Sequence, residues 1–581
     1  MSDDAPTDDP EDAATSPYTL QREESDDHHA FWADAVADRI LERDPDEPIV
    51  VKGGISPSGV PHLGNVNEIM RGYYVAEVLR ERGYEVRQVF TADDRDPLRG
   101  LPRTLCDLEG NLVDLGDVDA GALGRNLGAP YTDIPDPFGC CDSYGEHFSQ
   151  IIADSADAVD VPIELVSNTD CYEAGEFDEV TEHVLEHADR AREVLSQYQD
   201  KVDAEGDYVP FNPICSECGK LTETVTGVDL EAEPPTVDYR CTDMDAGDQT
   251  IDGCGHEGTA TIREGKMPWR FEWPGQWQVL GVDFEPFGKD HAEGSWPSGD
   301  DVARNVLEIE PPVPMVYEWF TLDGEPFSSS AGNVILVSDV LELIEPEVLR
   351  YFFAKDPSKA RDFSVERLDQ LVDEFDRFEA IYVGEVEGTE DERQFAERVY
   401  PLVVEGAAED AETERVDGRA NEPEERIRLP YTFAAVLGMT DDPDLREEIA
   451  RREGHIPEDA PEWAVESALE RVERARNWAR RTENEFDYEL KRSELPAHEF
   501  DAATEAALDE LADFVAADED VDPEELQGEI YETAKRNDVP VGDFFSAGYR
   551  LFFDEEQGPK LGTFLAKVDR EFVIDRLRRE R

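Results

Sequence analysis

Residues Ile49 to Asn65 read IVVKGGISPSGVPHLGN. A short apolar run, Ile49–Val51, has the character of a buried strand. It enters a turn of small residues, Ser-Pro-Ser-Gly, then a single His62, then Leu-Gly-Asn. The next stretch, VNEIMRGYYVAEVLRERGYEV, is apolar at helical spacing from Glu68 to Arg82 and passes into a second strand, YEVRQVFTADD. Strand, small-residue loop, helix and strand in this order open a doubly wound α/β fold. A small-residue turn at that place lets backbone amides approach a phosphate, and the helix N-terminus behind it favours negative charge. His62 can donate to phosphate oxygens as charge develops there, and Gly64 lets a nucleotide lie against the chain. The same histidine could instead only cap the turn. The second strand ends in TADDRDPLRGLP, a polar loop at a strand C-terminus, where such folds bind ligands.

The chain has 581 residues, which implies three or four domains. Its 140 Asp and Glu against 54 Lys and Arg leave a formal charge of −86. Self-repulsion on that scale opposes compaction in ordinary buffer. Molar salt shortens the screening length to about 3 Å, so the composition is that of a halophile, with an archaeal source expected. Hydrophobic residues at 39% suffice for cores, which argues against global disorder. The acidic start, MSDDAPTDDPEDAATSP, lacks an apolar core, and no run reaches the ~20 apolar residues of a membrane span. A cytoplasmic protein is expected, with metal ligation before disulfides for its eight cysteines. Net acidity does not exclude an RNA partner, because in high salt local basic patches and shape replace the long-range field.

Residues 1–28 read as an acidic disordered extension, followed by an amphipathic helix in HAFWADAVADRILERDPD. The strand pattern changes near Pro162, where a long helix, FDEVTEHVLEHADRAREVLSQYQ, leads into a cysteine-rich stretch. It resumes at WQVLGVDFEPFGKDH and PMVYEWFTLDGEPFSSSAGNVI. The middle is thus an insertion that splits one α/β domain. After about Asp356 strands are expected to give way to helices alone. The expected boundaries are 29–165 and 269–358 for the two halves, 166–268 for the insertion and 359–581 for the helical region.

The segment Phe327–Asn333, FSSSAGN, is a second amide- and hydroxyl-rich loop, in the second half of the split domain. The two loops resemble the signature motifs of class I aminoacyl-tRNA synthetases. Together with DDRDPLRGLP, IPDPFGCCDSYGEHF, PWRFEWPGQWQVLGVDFEPFGKDH and EQGPKLGTFLA, in this order, they resemble class I lysyl-tRNA synthetases from about residue 30 to the end. The resemblance implies a Rossmann-like catalytic domain split by a zinc-binding insertion, with an all-α anticodon-binding domain after it. It implies activation of lysine by ATP, with Mg²⁺, to lysyl-adenylate, then transfer to the 2′-hydroxyl of the terminal adenosine of tRNA(Lys). Catalysis would rest on positioning and phosphate stabilisation.

In that family pattern His62 and Asn65 face the ATP phosphates, and Ser328, Ser329 and Ser330 close over the pyrophosphate in the KMSKS-like loop. Gly64, Gly288 and Asp290 join them around the nucleotide, and Gly54, Ser56, Trp269, His291 and Tyr317 surround lysine and adenylate. Trp269 and Tyr317 also fit plain core packing. The loop departs from the family: Pro326 and Ala331 stand where lysines are usual, and Leu63 replaces isoleucine. Lys289 is a candidate substitute cation. No residue is assigned to the lysine ammonium, although Asp93, Asp94 and Asp96 are available. Lysine, ATP and tRNA are the expected partners of a monomer, with no membrane or DNA partner. A class I synthetase for glutamate or arginine, or a non-catalytic tRNA-binding paralogue, is the alternative.

Cys215 and Cys218 form a CxxC knuckle, and Cys241 and Cys254 follow with twelve acidic and small residues between them. Four thiolates in this order fit a tetrahedral structural zinc site, with His256 as an alternative to Cys254. Asp136, Cys140, Cys141 and His147 form a second candidate cluster, in which adjacent cysteines need a turn to converge. The family carries zinc in this segment, with histidine where Cys141 stands. Cys106 and Cys171 are expected to be unliganded. The C-terminal DRLRRER is a basic cluster that either offsets a helix dipole or touches tRNA phosphate.

The charge yields a direct expectation. Lowering KCl from about 2 M to about 0.1 M lengthens the screening distance to about 10 Å, and the thermal midpoint read by circular dichroism should fall by tens of degrees. An unchanged midpoint would remove the halophilic reading.

Overall fold

The computed structural model describes residues 29–199, 202–204, 206–247, 249–327, 333–404, 426–492, 495–517, 522–558 and 560–580. The acidic extension 1–28 lies outside them. The chain forms two compact units: one runs through Asp339 and includes Leu349–Ser364 and Glu397–Glu405, the other comprises Val340–Val348, Val365–Ala396 and Gly406–Arg581. None of the described helices is long and apolar enough to cross a membrane.

The first unit is built on a five-stranded sheet. Helix α1 (Trp32–Leu41) precedes β1 (Ile49–Ile55), α2 (Leu63–Glu81) and β2 (Val86–Ala92). Then come α3 (Tyr144–Asp157), β3 (Glu164–Ser167), α4 (Trp269–Leu280), β4 (Phe284–Gly288) and β5 (Val313–Tyr317). The spatial order is β5-β4-β1-β2-β3, and every pair is parallel. Ile49 pairs with Val86 and Ile55 with Ala92, while Phe284 pairs with Val313 and Gly288 with Tyr317. A parallel sheet is covered on both faces, so β1 reads as one buried run from Ile49 to Gly53. Lys52 sits within it, fully buried, and donates to Glu285 of the adjacent β4 at 2.7 Å. The chain reverses its direction of growth between β1 and β4, the switch point at which open α/β sheets form a ligand crevice.

Helix α2 starts five residues earlier than its apolar spacing predicts. His62 accepts the Gly64 N–H at Nδ1 (3.1 Å), and Asn65 Oδ1 accepts the His62 N–H (2.9 Å), a reciprocal cap that recruits the loop's end into the helix. The helix expected across 177–199 is instead two, Asp178–Glu186 and Ala188–Leu195, joined at His187, whose φ −105°, ψ 28° leaves helical geometry. Beyond lies a three-stranded antiparallel sheet with Thr236–Arg240 between Val225–Asp229 and Glu257–Thr261. The edge strand β3 straddles residue 165, so the parallel sheet runs just past the boundary expected for its first half.

Strands do not stop at Asp356. Arg361–Phe363 pairs in parallel with Phe320–Leu322 inside the first unit. Three residues are too few for alternation to show in the sequence, and the strand exists because a partner edge is already in place.

The second unit is helical among its described residues. On Glu462–Thr482 the buried positions Ala464, Ala468, Arg471, Val472, Ala475 and Trp478 form one stripe at helical spacing. Arg471 lies within it, 1% exposed, with Nε on Glu345 (2.6 Å), its two terminal nitrogens on Asp376 (2.7 and 2.8 Å) and a further bond to the Leu429 carbonyl (2.9 Å). The basic C-terminal cluster is likewise committed to protein. Arg576 is buried and donates to the Leu551 carbonyl (2.9 Å), while Arg578 and Arg579 pair with Asp513 (2.8 Å) and Asp509 (2.6 Å). Arg576 stands in the last turn of its helix, Arg570–Leu577, where its charge also offsets the helix dipole, and Arg578 and Arg579 pair with neighbouring segments.

Arg471→Leu should remove the countercharge of buried Glu345 and destabilise the chain by about 3–5 kcal/mol, the usual cost of leaving half of a buried pair. Denaturant unfolding in high KCl measures it; a midpoint shift equivalent to under ~1 kcal/mol would mean that water reaches the abandoned carboxylates.

Candidate active site and metal centres

The crevice at the β1/β4 switch point is a cavity of about 540 Å³. Gly54 and Ser56 enter it from the end of β1, His62, Gly64, Asn65 and Glu68 from the start of α2, and Gly288, Asp290 and His291 from the end of β4. Tyr317 closes one side, with Trp319, Phe327 and Pro326 at the rim. Residues from separate sequence motifs therefore meet in one space. Trp269 does not line it; its ring stacks on Trp273 (centroids 5.4 Å apart), 6.4 Å from that of His291. Ser328, Ser329 and Ser330, like Ala331, lie outside the described residues.

The cap of α2 fixes the chemistry of His62. With Nδ1 accepting the Gly64 amide, the ring proton of the neutral form belongs on Nε2. Burial pushes the imidazole down to about 4, against a backbone hydrogen bond that raises it, so near neutrality the ring is an uncharged donor. Gly64 is required by this arrangement, since a Cβ there would come within 2.7 Å of the His62 ring. Phe327, the first residue of the serine loop, stacks on His62 at 4.9 Å.

Glu68 is the residue that sequence reasoning missed. It lies three positions after Asn65, on the same face of α2. Its Oε1 accepts the Gly54 N–H at 2.7 Å, and its Oε2 accepts the Tyr317 hydroxyl at 3.0 Å. Loss of solvent pushes its carboxyl up to about 7, the Gly54 bond opposes this, nearby Glu285 adds to it and Lys52 opposes it. A cue was present in the sequence: Glu68 and Arg71 place charges among Val66, Ile69 and Met70 in the early turns of the helix. The three aspartates considered for an ammonium do not line this cavity. Asp93 accepts from Asn168 and Gln276 (both 2.9 Å), Asp94 from Ser167 and the Thr169 amide, and Asp96 from Lys266. Lys289 lies 3.6 Å from Glu318 and does not line the cavity.

Two clusters have donor sets suited to a metal. The thiols of Cys215, Cys218, Cys241 and Cys254 lie within 4.8 Å of one another. Cys215 and Cys254 are 3.6 Å apart and Cys218 and Cys241 3.7 Å. A tetrahedron with Zn–S of about 2.3 Å has edges of about 3.8 Å, so the spacing suits zinc. His256 is not of the set; its Nε2 lies 3.3 Å from Ser216 Oγ. In the second cluster Cys140 Sγ lies 3.3 Å from His147 Nδ1 and 3.2 Å from Asp136. Gly139, at φ 70°, makes the turn that lets Cys140 and Cys141 converge (3.9 Å). His147 Nε2 is 2.9 Å from the Cys106 carbonyl, which holds the proton there and leaves Nδ1 turned to the cluster.

The model of the class I tRNA synthetases (K) matches residues 30–405. A lysine–tRNA ligase of Halobacterium salinarum is 71% identical over 95% of this chain and 97% of its own. One of Haloarcula marismortui is 68% identical over 97% and 99%, and one of Pyrococcus horikoshii 34% identical over 94% and 99%. Among solved structures, a glutamate tRNA ligase of Elizabethkingia meningosepticum in complex with its amino acid is similar at 12% identity and a TM-score of 0.38, covering 91% of this chain and 98% of that one.

Proposed function

Because this chain belongs to the class I tRNA synthetase family, we infer that it is a lysine–tRNA ligase, which consumes ATP and transfers lysine to tRNA(Lys) in the cytoplasm. The observation that carries the reading is the shared cavity: a helix N-terminus with an uncharged histidine donor beside a carboxylate that waits for a cation. The lysine carboxylate attacks the α-phosphorus of ATP, the bond to the β-phosphate oxygen breaks, and pyrophosphate leaves with the electron pair. The terminal 2′-hydroxyl of tRNA then attacks the lysyl carbonyl, and AMP leaves.

His62 Nε2 and the first amides of α2 stabilise charge growing on the phosphates, as a fixed donor and dipole rather than as an acid, since the ring is already neutral. Asn65 holds the cap that sets the histidine's orientation. Gly288 lets the chain approach the nucleotide beside Asp290, for a Cβ at residue 288 would lie 2.6 Å from that carboxylate. Gly54, Ser56 and His291 line the lysine and adenylate space. Ser328, Ser329 and Ser330 supply hydroxyls and amides over the departing pyrophosphate, which Mg²⁺ accompanies. Glu68, oriented by Gly54 and Tyr317, takes the lysine ε-ammonium. Its charge repels glutamate as substrate, and arginine remains the competitor to test.

Cys215, Cys218, Cys241 and Cys254 would hold a structural zinc ion, and Asp136, Cys140, Cys141 and His147 a second. The donor types and spacing support both; zinc would cross-link separated segments in the first cluster and fix a local turn in the second.

The deciding assay is lysine-dependent ATP–pyrophosphate exchange in high KCl, with and without tRNA(Lys), with arginine and glutamate alongside. Lysine alone should support exchange; tRNA binding without exchange for any amino acid would favour a non-catalytic paralogue. Glu68→Gln should raise the lysine KM roughly thirtyfold, about 2 kcal/mol for a hydrogen bond to a charged group. In the wild type, kcat/KM for lysine should rise with pH through about 7 as Glu68 ionises, and the variant should lose that limb. A pH profile unaltered by the substitution would exclude Glu68 as the ammonium partner.

Metal analysis should find zinc at one ion per cluster. Cys215→Ser should lose one ion and lower the thermal midpoint, and protein purified without zinc would overturn both centres.

A further inference from the structure

Among the described residues, the cavity assigned to ATP has no lysine or arginine in its lining. The sequence from Pro326 to Asn333, PFSSSAGN, contains none either. Nearby cations are spoken for. Lys52 is buried against Glu285, and Lys266 is held between Asp96 and Glu272. A departing pyrophosphate is a concentrated anion, and positive charge placed where it forms lowers the barrier.

A second cavity, of about 290 Å³, adjoins the first. The two share Ile55, Ser56, His62 and Asn65. From there the smaller one runs over Ser58 and Gly59 to Arg103 and Thr104. None of its lining residues is acidic, in a chain with 140 acidic side chains. Arg103 is its one lysine or arginine, exposed, and its guanidinium has no hydrogen-bond or ion-pair partner among the described residues. A long side chain with five donors thus faces small hydroxyl-bearing and glycine residues and the capped N-terminus of α2, a combination that suits an oxyanion.

Resting on the ligase reading, we propose that Arg103 binds a phosphate oxyanion in this smaller cavity and supplies the positive charge that Pro326 and Ala331 cannot. Two sources present that chemistry: the pyrophosphate released from ATP, and the phosphate preceding the terminal adenosine of tRNA. Contact at hydrogen-bond distance survives molar salt, in which longer-range attraction is screened.

The test uses the full chain in high KCl. Inorganic pyrophosphate with Mg²⁺ is titrated calorimetrically into the wild type, Arg103→Ala and Arg103→Lys, and tRNA(Lys) binding is measured on filters for the same three. Arg103→Ala should weaken pyrophosphate at least tenfold, with Arg103→Lys between the two and the lysine KM unchanged. A tenfold loss confined to tRNA assigns the phosphate to the tRNA end and also supports the proposal. Affinities for both anions within twofold of the wild type would overturn it. Circular dichroism of each variant separates these results from misfolding. Absence of lysine-dependent exchange in the wild type would sink the ligase reading alone, because the pyrophosphate titration needs no turnover.

Discussion

The reciprocal cap at the start of α2 is the contact on which the site depends. His62 and Asn65 each satisfy a backbone amide that would otherwise be orphaned at the helix N-terminus. That one arrangement fixes the tautomer of the imidazole, demands glycine at position 64, and turns the helix so that Asn65 and Glu68 face the crevice. The helix dipole and the neutral donor then act on the same spot. Position in the sheet does the rest: β1 and β4 are neighbours whose connections leave in opposite directions, so the crevice opens beside the cap.

Charge is handled differently inside and outside. The buried cations are each held by one or two carboxylates: Lys52 by Glu285, Lys266 by Asp96 and Glu272, and Arg471 by Glu345 and Asp376. Each costs desolvation and is tolerated because its partners are in hydrogen-bond contact. The acidic excess lies outside these sets, where salt can screen it. Glu68 is placed differently: it receives two hydrogen bonds, has no bonded cation among the described residues and lines the cavity.

Both candidate metal clusters show local chemistry and tertiary placement working together. The CxxC knuckle was visible from spacing alone, whereas the choice of Cys254 over His256 was not, because both lie on one turn and only the packing of Tyr239 and Ser216 draws the histidine aside. In the second cluster the adjacent cysteines looked awkward in sequence, and the positive φ of Gly139 makes them compatible.

What the sequence by itself determined is what rests on short-range pattern. The apolar run Ile49–Val51, the small-residue turn and the helical spacing behind it specify strand, loop and helix, and the order of such units specifies a parallel sheet. The charge balance specifies the solvent the fold must live in. The tertiary structure decided whatever depends on partners far along the chain. Glu68 becomes a site residue only when Tyr317, some 250 positions later, closes on it. The aspartates Asp93, Asp94 and Asp96 lie outside the cavity lining, bonded instead to Asn168, Ser167 and Lys266. Arg361–Phe363 becomes a strand only beside Phe320–Leu322. The physical reason is common to all three: a side chain's charge, or a strand's pairing, is set by the groups that surround it, and those neighbours are assigned by the fold and not by adjacency in the chain.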